Sequence, residues 1–186
     1  MSKKATIFLL LLFSLALSGC LIRQPYRKQR RLVHSYRKNK GIELKVPLLT
    51  GKSQNCGALA AAMVCSFYGA QCSPQDFYSI VEKKRGGISN RALAAILRRK
   101  GFECYNLSGS FDQIRSLLQA GIPPILVLGT KKKELYHYVV VRGISQDSTI
   151  LRLNNPYCGN ELIEKDKLAA QWELTKRSLL VVARKN

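Results

Sequence analysis

The sequence predicts an α+β domain in which N-terminal helices surround a buried central helix that packs on a C-terminal antiparallel sheet. Helical patterns dominate residues 56–119, whereas most later apolar runs are short and bounded by turn residues. That order of elements is typical of α+β proteins. Within the first half, residues 56–68 are apolar on nearly every side. A helix of that composition must be buried on all faces.

Capping and stop residues mark where the predicted helices begin and end. Gly69 follows the central helix as its C′ residue, and Ser73-Pro74 gives a second helix an N-cap with proline at its first position. Ser89 and Ser110 cap a third and a fourth helix. We therefore expect helices at 56–68, 73–84, 89–100, 110–119 and 165–172, an extended lead-in at 44–49, and strands at 102–107, 125–129, 137–144, 149–154 and 178–183.

Residues 1–20 have the features of a secretory signal peptide. Lys3 and Lys4 form a charged start, residues 7–17 an apolar core, and Leu17-Ser18-Gly19-Cys20 a small-residue cleavage site. This ending resembles the lipobox of bacterial lipoproteins, which implies that Cys20 becomes the lipidated first residue of the mature chain. An ordinary signal peptide or an uncleaved anchor is the alternative. The residue after this cysteine is Leu21 and not Asp. By the same resemblance, this favours localisation at the outer membrane, facing the periplasm.

Residues 21–43 are predicted to be a basic tether between this anchor and a domain at residues 44–186. Residues 21–40 hold eight basic side chains, no acidic ones and few residues that could form a core. The tether would either be attracted to anionic lipid headgroups, at about 1 kcal/mol per basic residue, or serve as a solvated spacer. The net charge of +20 is not read as nucleic-acid binding, because no nucleic-acid motif accompanies it.

Three residues in separate parts of the chain supply the groups that thiol catalysis requires. Cys56 opens the central helix, whose unpaired backbone N–H groups would lower the pKa of the thiol. His137 opens an apolar strand and is the only histidine outside the tether, and Asn155 follows one hairpin later. A base that ionises the thiol, together with an amide that orients the base, predicts a thiol hydrolase.

Each of the three residues alone also has a purely structural explanation. Cysteine is usually a small buried apolar residue, a histidine at a strand end can be a core residue, and Asn155-Pro156 can simply start a turn. Their combination favours catalysis, with Gly57 leaving room for a substrate backbone beside Cys56.

Four segments carry a resemblance to a known family. In chain order they are Asn55-Cys56-Gly57-Ala58-Leu59-Ala60-Ala61-Ala62-Met63, Gly87-Ile88-Ser89, His137-Tyr138-Val139-Val140-Val141 and Asn154-Asn155-Pro156-Tyr157. They resemble the bacteriocin-processing cysteine peptidases that cut after double-glycine leaders, and the resemblance covers residues 44–183. It implies a papain-like fold in a free-standing lipoprotein, with Cys56 as nucleophile, His137 as base and Asn155 as orienting residue.

Two positions depart from the family pattern. The family usually has Asp where Asn155 stands, and asparagine keeps the orientation but not the charge. It also commonly has Gln six residues before the cysteine as an oxyanion donor, where this chain has Thr50. Gln54 and the backbone N–H of Cys56 are the candidate replacements. Loss of one oxyanion donor typically slows catalysis about 10²–10³-fold.

The remaining cysteines suggest disulfides and not a metal site. Outside the cytoplasm, Cys65, Cys72, Cys104 and Cys158 can pair in three ways. Cys65 is expected to be a buried thiol, Cys72 and Cys104 are the most exposed candidates, and Cys158 lies close to the site. Without CxxC spacing or further histidines, neither a metal nor a cofactor is expected.

The sequence therefore predicts a lipid-anchored envelope cysteine peptidase that hydrolyses a peptide or protein substrate. Two alternatives remain open. Thr50 and Asn155 are compatible with a degenerate peptidase that binds peptides or a partner without cleavage. The same triad can also serve another acyl transferase or an amidase.

Overall fold

The computed structural model describes residues 29–51, 55–80, 87–130 and 136–185. Contacts divide the chain after Lys38 into two units. The first unit contributes a helix over residues 29–38, α1, and the second contains the sheet. Cys20 and Gln54 lie outside the described residues.

The predicted tether at 21–43 is wrong in part. Residues 29–38 are helical, and Ile42 and Glu43 form a strand that pairs with Ile144 and Gly143. The sheet therefore begins before residue 44. Glu43 also accepts hydrogen bonds from Arg142 and Arg152, at 2.6 and 2.8 Å, so its charge is used inside the fold.

The described part of the second unit contains α-helices, short 3-10 helices and one antiparallel sheet. The α-helices are α2 Cys56–Phe67, α3 Asn90–Arg99, α4 Phe111–Gln119 and α5 Lys165–Trp172, and the 3-10 helices are Pro74–Ile80 and Glu173–Thr175. The strands are β1 Ile42–Glu43, β2 Phe102–Ser108, β3 Ile125–Gly129, β4 Tyr136–Ile144, β5 Ile150–Asn155, β6 Gly159–Glu164 and β7 Ser178–Arg184.

The strands lie in the order β2-β7-β3-β4-β5-β6, with β1 also paired to β4. All pairs are antiparallel, as predicted. The strand β6 was not predicted from the sequence. It pairs with β5 in a hairpin that places Gly159 opposite Asn155.

Each face of the sheet carries its own hydrophobic core. The core on one face joins the sheet to α2, α3 and the first 3-10 helix, and the core on the other face joins it to α4 and α5. Successive strand residues such as Val139 and Val140 belong to opposite cores, because side chains alternate along a strand. Burial on both faces explains why these strands read as unbroken apolar runs.

The central helix begins at the predicted residue, ends one residue before the predicted bound, and is buried as predicted. Every residue from Cys56 to Cys65 is buried. At its end, Gly69 has φ +72°, and the N–H groups of Gly69 and Ala70 donate to Ser66 and Cys65, at 3.0 Å each. This pattern is a Schellman motif, which favours glycine at the left-handed position.

The other predicted helices agree with the structure, with one correction. Ser89 accepts from the N–H of Ala92, and Ser110 forms a capping box with Gln113. The segment after Ser73-Pro74 is a 3-10 helix over Pro74–Ile80 and not an α-helix to residue 84; residues 81–86 lie outside the description. No helix in the described ranges has the length and apolar character needed to cross a bilayer.

Two expectations about the cysteines are wrong: that Cys65 is a free thiol and that Cys104 is exposed. Cys65 and Cys72 form a disulfide with their Cα atoms 5.8 Å apart, so Cys65 is not a free thiol. Cys104 is only 3 % exposed, because it lies on the inner face of β2, and its burial raises its pKa to about 11. Cys56 and Cys158 are also free, and Cys158 is exposed.

Cys72→Ser should lower the free energy of unfolding by about 2 kcal/mol, because the disulfide closes a short loop in the unfolded chain. Urea unfolding under non-reducing conditions measures this. As a control, a reductant should lower the stability of the wild-type protein to that of the variant and leave the variant unchanged. Equal stability of both proteins without reductant would contradict the prediction.

Candidate active site

Cys56 is the first residue of α2, at the end of the buried helix where the backbone N–H groups have no partners within the helix. The side chain of the N-cap residue, Asn55, makes no capping hydrogen bond, and the first turn contains no acidic residue. The Cys56 side chain is 6 % exposed. The sequence thus places a thiol at an uncapped helix N-terminus, where the local dipole favours a negative charge.

The groups around the thiol lower its pKa. Burial raises the pKa of Cys56, and the neighbouring His137 side chain is the largest influence in the opposite direction. The backbone N–H of Tyr138 and the hydroxyl of Tyr157 act in the same sense as His137. The net effect is a pKa below that of an ordinary cysteine, so the thiolate forms at lower pH than usual.

The hydrogen bonds of Asn155 define which way its amide faces. Its Nδ2 donates to a carboxylate oxygen of Glu161 at 2.8 Å. Its Oδ1 accepts from the backbone N–H groups of Tyr157 and Cys158, at 3.0 and 3.3 Å. The same oxygen lies 2.9 Å from Nε2 of His137. Because an amide oxygen only accepts hydrogen bonds, Nε2 must be the donor.

This direction leaves the other ring nitrogen of His137 for the thiol. Nδ1 of His137 is buried and meets no partner in hydrogen-bonding geometry among the described residues. The thiol of Cys56 lies close enough to the ring for His137 to lower its pKa. With its proton held on Nε2, the neutral ring has a free lone pair at Nδ1 to receive the thiol proton.

We had expected Gly57 to leave room for a substrate backbone, and this expectation is wrong. Gly57 instead has a packing role. A Cβ atom at this position would lie 2.4 Å from Cγ2 of Ile88 and 3.4 Å from Cδ2 of Tyr138. The Tyr138 hydroxyl in turn donates to the carbonyl of Ile88 at 2.8 Å. The space beside Gly57 is therefore filled by protein.

Tyr157 is a site residue to which sequence reasoning assigned no role. Its ring stacks on the His137 imidazole with centroids 4.7 Å apart and planes 23° from parallel. Its hydroxyl also contributes to the lowered pKa of Cys56. The signal was its place two residues after Asn155, in a turn that brings the chain back over the histidine.

The loops around the site are joined by backbone contacts. The N–H of Gly51 donates to the carbonyl of Pro156 at 3.0 Å. Asn154 is fully buried, and its Nδ2 donates to the carbonyls of Val46 and Pro47 at 3.0 and 3.2 Å. The lead-in to Cys56 is thereby held against the end of β5.

The structure thus brings Cys56, His137 and Asn155 together. It assigns no side chain among the described residues as a donor to the oxyanion. Thr50, at the position where the family pattern has Gln, is exposed, and Gln54 lies outside the described residues. Among the described residues, no cluster of three His, Cys, Asp or Glu side chains offers a metal site. The chemistry of the site is that of a thiol with a neighbouring base.

A papain-like antiparallel sheet, with a cysteine at the start of its buried helix and a histidine beside it, defines a cysteine peptidase. The model of the peptidase C39 family matches residues 46–186. The chain therefore belongs to the peptidase C39 family, and it is a cysteine peptidase hydrolase. A comparison with curated proteins finds no match.

Solved structures of this family share the fold. The peptidase domain of Streptococcus ComA, a bi-functional ABC transporter involved in quorum sensing, has a TM-score of 0.63 at 20 % identity, covering 75 % of this chain and 99 % of that domain. A double-glycine-motif protease from an AMS/PCAT transporter, in complex with its leader peptide, has a TM-score of 0.60 at 17 % identity, covering 78 % and 96 %. A C39-like peptidase from Bacillus anthracis has a TM-score of 0.63 at 12 % identity, covering 78 % and 98 %.

Iodoacetamide should alkylate Cys56 faster than the exposed Cys158 at pH 6, since the lowered pKa of Cys56 keeps part of it ionised there. Tyr157→Phe removes a donor to the thiolate and should slow this alkylation about two- to fivefold at pH 6. The slowing by Tyr157→Phe should become smaller as the pH rises, because loss of a donor to the thiolate matters less once Cys56 is ionised in both proteins. Mass spectrometry of the labelled peptides measures both rates.

Tyr136→Phe is the matched control, because Tyr136 is 62 % exposed at the start of the same strand as His137. It should leave the alkylation of Cys56 unchanged. Equal slowing by the two substitutions, or no slowing by Tyr157→Phe, would contradict the role of the hydroxyl.

Proposed function

We propose that the protein hydrolyses peptide bonds through a Cys56-His137-Asn155 triad and that it is anchored by lipid in the bacterial cell envelope. The observation that carries the triad is the hydrogen-bonding of Asn155. Its Oδ1 lies 2.9 Å from Nε2 of His137 while its Nδ2 is engaged elsewhere. This directionality leaves Nδ1 of His137 for the thiol.

The reaction begins when Nδ1 of His137 takes the proton of Cys56, and the resulting thiolate attacks the carbonyl carbon of the scissile bond. The negative charge then moves to the carbonyl oxygen. The backbone N–H of Cys56, at the uncapped start of α2, is the described donor available to that oxygen. Gln54 is proposed as the second donor.

Collapse of the tetrahedral intermediate breaks the C–N bond, and the imidazolium of His137 gives its proton to the leaving amine. Water then attacks the thioester, with His137 as general base, and releases the acid and free Cys56. Asn155 accepts from Nε2 throughout and keeps the ring in one orientation. An amide orients the ring at any pH, because it does not titrate.

The substrate is proposed to be an extended peptide or an exposed protein segment. C39 peptidases act on peptide substrates such as leader peptides, and one of the similar structures is a complex with a leader peptide. Tyr157 is 44 % exposed and stacks on His137, so it offers an aromatic contact beside the thiol.

The proposed location combines the sequence of the N-terminus with one feature of the fold. Residues 17–20 end in the lipobox-like cysteine Cys20, and basic residues follow it. The Cys65–Cys72 disulfide is a bond that persists in an oxidising compartment such as the periplasm. We place the domain in the periplasm, held on the outer membrane by lipid on Cys20 and assisted by the basic segment.

Cys56→Ala should abolish cleavage of a peptide library, because no other described nucleophile stands beside His137. Cys104→Ala is the control, since it also removes a buried free thiol but lies on β2; it should keep its activity at temperatures where it is folded. Product masses separate hydrolysis from amine transfer. If the wild-type protein and Cys56→Ala both bind peptides and neither cleaves them, the protein is instead a degenerate, non-cleaving binder.

Labelled fatty acid should be incorporated into the protein in a diderm bacterium and be lost in Cys20→Ser. Cys158→Ser removes an exposed cysteine of the domain and should remain labelled. Membrane fractionation should place the labelled protein in the outer membrane. An unlabelled protein in the soluble periplasmic fraction would contradict the anchor and leave the triad unaffected.

A further inference from the structure

We propose that Glu161 is a positioning residue of the active site, which orients the Asn155 amide and supplies the negative charge that the triad itself lacks. This inference rests on the proposed Cys56-His137-Asn155 triad. It adds a residue on a different strand, and it explains how an amide can stand where the family pattern has a carboxylate.

The contact follows from the register of one hairpin. Asn155 is the last residue of β5, and the residue directly opposite it on β6 is Gly159. Glu161 is two residues further along β6, so it is the diagonal neighbour of Asn155 on the same face. Because Gly159 has no side chain, the amide of Asn155 reaches the carboxylate diagonally, at 2.8 Å.

The turn of the hairpin requires this glycine. Gly159 has φ +80°, a left-handed conformation that residues with a side chain rarely adopt. The turn therefore sets the register and also keeps the position opposite Asn155 empty.

The hydrogen bonds form one directed chain. The Asn155 amide donates from Nδ2 to Glu161 and accepts at Oδ1 from His137. A carboxylate on the donating side polarises the amide and makes Oδ1 a stronger acceptor. The hydrogen bond that Oδ1 accepts from His137 is thereby strengthened, most of all in the imidazolium that forms during the reaction, because the imidazolium is the better donor of the two forms of the ring.

Glu161 is half-buried, as is His137, whereas Asn155 is 7 % exposed. The carboxylate therefore acts through a desolvated amide, where electrostatic effects are stronger than in open solvent. Among titratable groups described at the ring, Cys56 and Tyr157 contact His137 directly, and Glu161 reaches it only through Asn155.

Two substitutions separate charge from hydrogen bonding. Glu161→Gln keeps an oxygen that accepts from Asn155 but removes the charge, and should reduce kcat/KM about three- to tenfold at neutral pH. The reduction should fall on kcat and not on KM, and the basic limb of the pH profile should move to lower pH. Glu161→Ala removes the acceptor as well and should reduce kcat/KM further than Glu161→Gln does.

The matched control is Glu103→Gln. Glu103 is a carboxylate on β2, at the opposite edge of the sheet from β6, and its removal changes the net charge equally. It should leave kcat/KM and the pH profile unchanged. Equal effects of Glu103→Gln and Glu161→Gln would reduce the role of Glu161 to net charge and overturn the inference.

Alkylation of Cys56 provides a readout that needs no substrate. If wild-type Cys56 reacts no faster than Cys158, the triad fails and this inference fails with it. If wild-type Cys56 is fast and Glu161→Gln matches it within about twofold in both alkylation and kcat/KM, only the role of Glu161 is overturned.

A double-mutant cycle tests the contact itself. Asn155→Asp alone puts two carboxylates in contact and should lower Tm by about 3–6 °C at neutral pH. In a Glu161→Gln background, Asn155→Asp should lower Tm much less. Additive effects on Tm would show that the two side chains do not interact and would overturn the inference.

Discussion

The burial of α2 from Cys56 to Cys65 is the constraint on which the rest of the structure depends. A helix that is apolar on every side needs protein around it, which the sheet, α3 and the first 3-10 helix supply. The chain near Gly57 has no space for even one extra carbon beside Ile88. The N-terminal end of α2 is then where the helix can offer polar backbone groups, and Cys56 stands there.

Around that end, the hydrogen bonds have a defined direction. Oδ1 of Asn155 accepts from two backbone N–H groups as well as from His137. The turn after β5 therefore does two things at once. It ends the strand, and it fixes the amide so that the imidazole presents Nδ1 to the thiol. The stacking of Tyr157 on His137 adds a steric limit on ring rotation.

Much of this arrangement could be predicted from the sequence, and the failures have physical causes. Cys56, His137 and Asn155 could be predicted because each has a residue type suited to thiol catalysis and lies at the end of a helix or strand. N-cap residues such as Ser89 and Ser110 predict where helices begin. The strand β6 was missed because polar residues such as Asn160 and Glu161 occupy much of it and it lies at a sheet edge. Without that strand, no reasoning along the chain could pair Glu161 with Asn155.

The hairpin at Gly159 also changes how the residues of such a site should be compared between proteins. The third residue of the proposed triad, Asn155, is neutral, and a comparison of residue types at that position alone would class the site as uncharged. The carboxylate instead lies six residues later along the chain, one strand away, with glycine opposite the amide. Charge and orientation, which a single aspartate would combine, are thereby divided between two side chains.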